Sequence, residues 1–223
     1  MRSIAAAAAL TLAMLSGQPL PVSAQGAETA SEQADRALAV ALWQIAVATH
    51  TRIGFQSLEA INTVGNVFHD PPDAIALSLD DALDAALAAH PGYEWRRTDD
   101  VIVVRPVGAW TDAADPFNHP VRNFRAERTN ESQVLEGIRR LVSTGVYREE
   151  HRLSGTPVDF SVESGTVVDL LNALARSADI TFWQGGYQPR GQNLSVSLSL
   201  VNDRHLRATM QLPAMRPVRG RAN

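Results

Sequence analysis

The stretch that decides the fold is Ser78-Leu-Asp-Asp-Ala-Leu-Asp-Ala-Ala-Leu, which is followed by an aromatic segment around Trp95. It returns 88 positions later as Thr166-Val-Val-Asp-Leu-Leu-Asn-Ala-Leu-Ala, and Trp183 then stands where Trp95 stood. Self-similarity at a fixed offset is typical of a structural unit that occurs twice. The sequence therefore predicts two copies of one small fold.

Each copy has the pattern of a capped amphipathic helix followed by strands. Ser78 and Thr166 are predicted N-caps, and each precedes an aspartate by three residues, which is close to a capping box. Leu83 and Leu171 occupy equivalent places in the apolar stripes and are predicted to be buried. The β-branched run from Val101 to Val107 predicts a buried strand.

These patterns predict an α+β protein built from two tandem small α/β repeats, each in the order α-β-β-α-β-β. The second repeat is expected to carry an extra C-terminal β-hairpin with its turn at Asn202-Asp203, preceded by a turn-rich loop over 185–191. The predicted segments are a signal peptide (1–24), a flexible leader (25–37), a first unit (38–107), a linker (108–120), a second unit (121–212) and a basic disordered tail (213–223).

The N-terminal segment has the features of a secretory signal peptide. Arg2 precedes an apolar run from Ile4 to Leu15, and small residues at Val22-Ser23-Ala24 fit a cleavage site before Gln25. The alternative is an N-terminal membrane anchor, but a spanning helix needs about 20 apolar residues. We therefore expect a periplasmic protein exported through a cleaved signal.

Composition restricts the chemistry. The chain has no cysteine, which excludes disulfides and thiolate nucleophiles or ligands. The formal net charge is −4, but arginines are concentrated near the C-terminus. A frayed, solvated tail is the expected state of that segment, and contact with an anionic surface is the alternative.

The sequence shows no known catalytic or cofactor-binding motif, and it predicts no catalytic residue, cofactor or metal. The residues that most resemble metal ligands are His69, Asp70 and Asp73, in a loop with two prolines. A metal site needs further ligands and supporting contacts, so we interpret this loop as polar surface. A small periplasmic hydrolase or metal-binding protein that uses this loop is the alternative.

Three residues are candidates for contacts with a partner. Trp110 and Tyr187 lie in turn-rich segments, where an aromatic residue is less easily assigned to a core, and Arg190 is close to Tyr187. Aromatic and arginine side chains often anchor protein interfaces. Trp95 and Trp183, in contrast, are expected to be packed in the core.

The passage that includes Leu42-Trp-Gln-Ile-Ala, Ile53-Gly-Phe and the helix after Ser78 resembles the short N-terminal (STN-like) domain of secretins and TonB-dependent receptors. The resemblance covers 38–107, with a weaker version over 121–184. It implies a periplasmic module that docks onto regulatory or secretion-machine proteins. No pattern of an outer-membrane barrel or secretin ring follows.

We therefore expect an adaptor that docks onto a protein partner in the periplasm or at the outer membrane. It is not expected to be an enzyme, to bind nucleic acid or a small-molecule cofactor, or to span the membrane. Its aromatic groups and an exposed strand edge are expected to form the binding surface.

Overall fold

The computed structural model describes residues 29–58, 77–142, 157–190 and 193–201. The four helices in these ranges are α1 (Ala30–Thr49), α2 (Leu79–Ala88), α3 (Glu131–Val142) and α4 (Val167–Ser177). The strands are β1 (Arg52–Gln56), β2 (Tyr93–Thr98), β3 (Val101–Pro106), β4 (Pro120–Asn130), β5 (Pro157–Thr166), β6 (Phe182–Arg190) and β7 (Asn193–Val201), and a 3₁₀ turn covers Pro116–Asn118.

The strands form a mixed five-stranded sheet and a separate two-stranded sheet. The larger sheet has the order β2-β3-β1-β6-β7, and the smaller one pairs β4 with β5. The middle strand β1 is parallel to both of its neighbours, β3 and β6. The outer strands β2 and β7 are antiparallel to β3 and β6. This gives an α+β fold.

Both faces of the five-stranded sheet are covered, because alternate residues point to opposite faces. On one face Ile53, Phe55 and Ile102 pack in a core with α1 and α2. On the other face Val103 and Trp183 pack in a second core with α3, α4 and the β4-β5 sheet. The middle strands are therefore buried on both sides, which explains the continuous apolar run of β3.

The two predicted helix caps are confirmed. Ser78 accepts a hydrogen bond from the Asp81 amide, and Thr166 forms a capping box with Asp169. Leu83 in α2 and Leu171 in α4 are fully buried, as the apolar stripes predicted. Each of these helices is followed by an antiparallel strand pair.

A tryptophan contact also recurs at the same offset of 88 positions. Trp95 Nε1 donates to Asp84 Oδ1 at 2.9 Å, and Trp183 Nε1 donates to Asn172 Oδ1 at 3.0 Å. In each case the indole binds a side chain of the preceding helix. The surroundings differ, since Trp183 lies in the interior strand β6 and Trp95 lies in the outer strand β2.

The structure does not show two tandem units. The strand β1, from the first predicted unit, pairs directly with β6, from the second, over the register from Ile53 with Phe182 to Gln56 with Gly185. The order of elements after Pro120 is β-α-β-α-β-β within the described ranges, and not α-β-β-α-β-β. The five-stranded sheet thus crosses the predicted boundary, because β1 needs a partner on each side.

Two segments predicted to be irregular are ordered parts of the fold. The predicted linker 108–120 places Asp115 and Phe117 in the interior, with 3% and 1% of their surface exposed. The predicted loop at 185–191 is β-strand as far as Arg190, where β6 pairs with β7. The loop prediction was wrong because Gly185 and Gly186 were interpreted as turn residues. At Gly185 the missing side chain is needed instead for close packing, since a Cβ there would meet the Phe117 ring.

The predicted flexible leader is wrong from Ala30 onward. Thr29 and Glu32 form a capping box that starts α1 seven residues earlier than the apolar pattern suggested. Asp35, in this first part of the helix, is buried and accepts a hydrogen bond from the Leu58 amide. The leader was predicted from the small polar residues, whose capping pattern was overlooked.

Several predicted features lie outside the described residues. These are the signal peptide, the loop with His69, Asp70 and Asp73, the return strand of the C-terminal hairpin, and the basic tail. None of the helices in the described ranges is both long and apolar enough to cross a membrane.

Gly54 is the position where the central sheet tolerates a side chain least. It pairs with Trp183 across β1 and β6, and a Cβ at Gly54 would overlap the indole ring. We expect Gly54→Ala to lower the free energy of unfolding by about 1–3 kcal/mol, as for overpacking of a core. Urea unfolding followed by circular dichroism measures this loss. Gly92→Ala is the control, because a Cβ there meets no atom within 4 Å, and equal losses would contradict this packing.

Candidate functional site

A cleft of about 330 Å³ lies where β1 and β3 end. These adjacent strands are parallel, and the elements that follow them lie on opposite faces of the sheet. After β1 the next described helix, α2, belongs to one core, and after β3 the 3₁₀ turn belongs to the other. Open α/β sheets commonly bind ligands at such a switch point, at the carboxyl ends of the strands. This cleft is therefore the candidate functional site.

A buried ion pair lies at the base of the cleft. Arg105 from β3 and Asp115 from the segment before the 3₁₀ turn are 1% and 3% exposed, and Arg105 Nη2 lies 3.3 Å from Asp115 Oδ1. Gln56 at the end of β1 connects the two charges. Its Oε1 accepts from Arg105 Nε at 2.6 Å, and its Nε2 donates to Asp115 Oδ2 at 2.7 Å.

The same ion pair fixes the segment that borders the cleft. Arg105 Nη1 donates to Asn118 Oδ1 at 2.8 Å, and Asn118 Nδ2 donates to the carbonyl oxygens of Ala109 and Asp112 at 2.6 and 2.7 Å. The Phe117 amide donates to Asp115 Oδ1 at 2.7 Å. These bonds hold residues 109–118 against the sheet, although only Pro116–Asn118 have regular (3₁₀) structure. The wall of the cleft is therefore preformed.

Arg105 is charged although it is buried. Burial lowers the pKa of Arg105, and the nearby Asp115 carboxylate opposes this by raising it. An arginine guanidinium nevertheless keeps its proton in proteins. Its hydrogen bonds to Gln56 and Asn118 and its ion pair with Asp115 offset the cost of burying this charge, so the loss of one partner is costly.

Trp110 packs against the arginines at the edge of the sheet. The guanidinium carbons of Arg96 and Arg105 lie 4.7 and 4.8 Å from the centre of its ring, within range for cation–π contacts. Its Nε1 is buried and has no hydrogen-bond partner among the described residues. Trp110 is partly buried, so it is less exposed than its position in a turn-rich segment suggested.

Tyr187 lines the cleft from β6. Its ring lies 6.4 Å from that of Phe117 and packs against the second core. Burial raises the pKa of the Tyr187 hydroxyl, the charges of Asp115 and Asp112 raise it further, and Arg105 lowers it. The acidic groups and the loss of water thus both favour the neutral phenol.

The titration of Tyr187 tests this arrangement. Asp112→Asn removes one of the negative charges, so we expect it to lower the pKa of Tyr187, as followed by the ring carbon shifts in NMR spectra against pH. Glu163→Gln, which removes a charge from an exposed position on β5, should leave this pKa unchanged. A raised pKa also means that Tyr187 stabilises the fold below its ordinary pKa, and that this contribution is lost as pH rises through the raised value. Equal Tyr187 titration curves for Asp112→Asn and wild type would contradict the role of Asp112.

The three predicted contact residues have different outcomes. Trp110 and Tyr187 both lie beside Arg105, although they are far apart in the sequence. Arg190 is the last residue of β6, where it pairs with Asn193 through the backbone, and its side chain is outside the described part of the structure. The prediction that these residues bind a partner is not tested by their positions.

The sequence analysis missed the polar residues that organise the site, which are Gln56, Arg105, Asp112, Asp115 and Asn118. One signal was available. Arg105 is a charge at the end of the apolar run Val101–Val104, and a charge in a strand buried on both faces needs a partner. The identity of that partner was not predictable, because Asp115 lies in a segment interpreted as a linker.

The described residues do not bring together a metal-binding group. No cluster of three or more His, Asp or Glu side chains in 29–58, 77–142, 157–190 and 193–201 is placed to hold an ion. The alternative site at His69, Asp70 and Asp73 is outside these ranges. What the cleft offers chemically is a recess with carboxylates, a phenol and aliphatic side chains.

Comparison with known proteins gives no assignment. No family model, curated protein or solved structure matches this chain.

Proposed function

We propose that this chain is an exported binding module that docks onto a protein partner of the cell envelope through the cleft at the ends of β1 and β3. The observation that carries the proposal is the recess with exposed apolar side chains at its rim. Val107 and Leu58 line the cleft and are 62% and 51% exposed. Large exposed apolar side chains that border one recess are typical of interaction sites.

The cleft of this chain is a preformed binding surface. The polar network of Arg105, Asp115 and Gln56 fixes the floor, and Asn118 fixes the wall. A site that is already ordered loses little conformational entropy when its partner binds. Binding then requires only that the partner supply a complementary group.

The sheet offers a second contact close to this site. Among the described residues β2 pairs only with β3, so its other edge has backbone groups available to an added strand. Arg96 of β2 contacts Trp110, which contacts Arg105, so the edge and the cleft are connected through packed side chains. The edge strand carries Glu94, Arg96 and Arg97, and such charges also discourage unspecific pairing.

The evidence for export and for a docking role comes from the sequence. The signal-peptide pattern supports a periplasmic location, and the resemblance to the short N-terminal domain of secretins and TonB-dependent receptors supports a docking role in the envelope. The cleft makes the proposal specific, because it names the surface that should bind.

Affinity capture from cell-envelope extract tests the proposal. We expect the mature wild-type protein to retain a protein that Val107→Ser does not retain. Leu141→Ser is the matched control, because Leu141 is an exposed apolar residue (38%) on α3. Circular dichroism must show that both variants are folded. Capture of the same proteins by wild type and Val107→Ser, at equal yield, would contradict docking at the cleft.

A further inference from the structure

We propose that the cleft receives a basic side chain, arginine or lysine, from the docking partner. This inference rests on the proposed function, because it names the group that enters the same cleft. It follows from the charges, the aromatic ring and the aliphatic rim that meet there.

The ionisable groups that line the cleft are acidic. Asp112 and Asp115 line it together with Tyr187, and no arginine or histidine is among the described lining residues. Asp115 is already neutralised by Arg105 beneath it. Asp112 is exposed, and no described basic residue lies within ion-pair distance of its carboxylate. Within the described residues, the cleft therefore presents one negative charge, that of Asp112, without an ion-pair partner.

The balance of charge is visible at Tyr187. Asp115 and Asp112 raise the pKa of its hydroxyl, and these effects exceed the opposing effect of Arg105. Two carboxylates and one guanidinium therefore act on this hydroxyl, so the described charges around it are acidic on balance. Such a group of charges favours a cation over a carboxylate or phosphate.

The rest of the lining suits the shape of a basic side chain. Arginine and lysine bury an aliphatic stem and keep a charged end group in a polar environment. Leu58 and Val107 offer apolar surface for the stem, and Tyr187 is the aromatic residue in the described lining. Asp112 is then the acceptor for a charge-assisted hydrogen bond.

Binding of small probes tests the inference without knowledge of the partner. We would titrate the mature protein with N-acetyl-arginine amide, N-acetyl-lysine amide and the neutral isostere N-acetyl-citrulline amide, and follow the amide shifts of Val107 and Gly108 by NMR. We expect saturable shifts with a cationic probe at millimolar concentration and at least about tenfold weaker binding of citrulline, since about 1.4 kcal/mol corresponds to a factor of ten. The comparison of arginine with lysine identifies the preferred cation.

The variants locate the charge that matters. Asp112→Asn should lower the affinity for the cationic probe by about tenfold. Glu163→Gln, which removes an exposed charge from β5, should leave this affinity unchanged. Equal binding of citrulline and arginine, an unchanged affinity in Asp112→Asn, or no shift with either cationic probe would overturn the inference. The proposed docking would survive that result if Val107→Ser still abolished capture of the partner, so the two failures are distinguishable.

Discussion

Asp115→Ala is expected to destabilise the protein by about 3–5 kcal/mol, because it leaves the Arg105 guanidinium as an unpaired buried charge. The carboxylate is 3% exposed and accepts hydrogen bonds from Gln56 and from the Phe117 amide, so its removal also leaves these donors without their partner. A loss of this size is a large fraction of the total stability of a typical domain, which is about 5–15 kcal/mol. Urea unfolding followed by circular dichroism measures it.

Two variants make this prediction specific. Glu127→Ala removes an exposed partner of Arg125 and should cost less than about 1 kcal/mol, as for surface ion pairs. The double variant Arg105→Met with Asp115→Leu removes both buried charges and should be more stable than Asp115→Ala alone. If Asp115→Ala lost no more stability than Glu127→Ala, the buried ion pair would not hold the segment 109–118 against the sheet.

Trp183→Ala is expected to cost about 3–5 kcal/mol, as for truncation of a buried tryptophan. The indole is 1% exposed, stacks on Phe117 with ring centres 6.5 Å apart, and covers Gly54. Its removal leaves a cavity in the core between the five-stranded sheet and α4. It also removes the hydrogen bond that Trp183 Nε1 donates to Asn172 Oδ1.

The chain contains its own control for this experiment. Trp95 makes the same type of hydrogen bond to Asp84, but it lies in the outer strand and is only partly buried. Trp95→Ala should therefore cost clearly less, since the stabilisation from burial scales with the apolar area removed from water. Equal losses for the two variants would mean that β6 is not an interior strand and would contradict the strand order.

The local features of the fold were predictable from the sequence because short-range chemistry determines them. The caps at Ser78 and Thr166 depend on a hydroxyl and an aspartate within one turn, and the burial of Leu83 and Leu171 follows from helical spacing. The capping box at Thr29 and Glu32 was equally visible. It was missed because the residues around it are small and polar.

The pairing of strands was not predictable, because it depends on contacts between residues far apart in the sequence. The pairing of β1 with β6 joins residues about 130 positions apart, and no local pattern indicates that partner. The repeated helix and strand suggested two separate units. A repeat of this kind does not determine which strands are neighbours in the sheet. The pairing of these strands in a single sheet therefore could not be predicted from the periodicity of the sequence.

The arrangement of the candidate cleft was not predictable for the same reason. Trp110 and Tyr187 were selected by residue type and by their turn-rich surroundings. Their position around Arg105 arises from the ends of β1 and β3, from a segment taken to be a linker, and from a strand taken to be a loop. A cleft assembled from three separate segments (56–58, 106–115 and Tyr187) leaves no motif in the sequence.

Site-specific photocrosslinking in living cells tests the central claim, which is that a protein partner docks at this cleft. A benzoylphenylalanine placed at Val107 should form a covalent adduct with one cell-envelope protein on irradiation, and the same group at Leu141 should not form it. Both positions are exposed and apolar, so the comparison isolates the surface. An adduct at Leu141 with none at Val107, or no protein adduct at Val107, would contradict docking at the ends of β1 and β3.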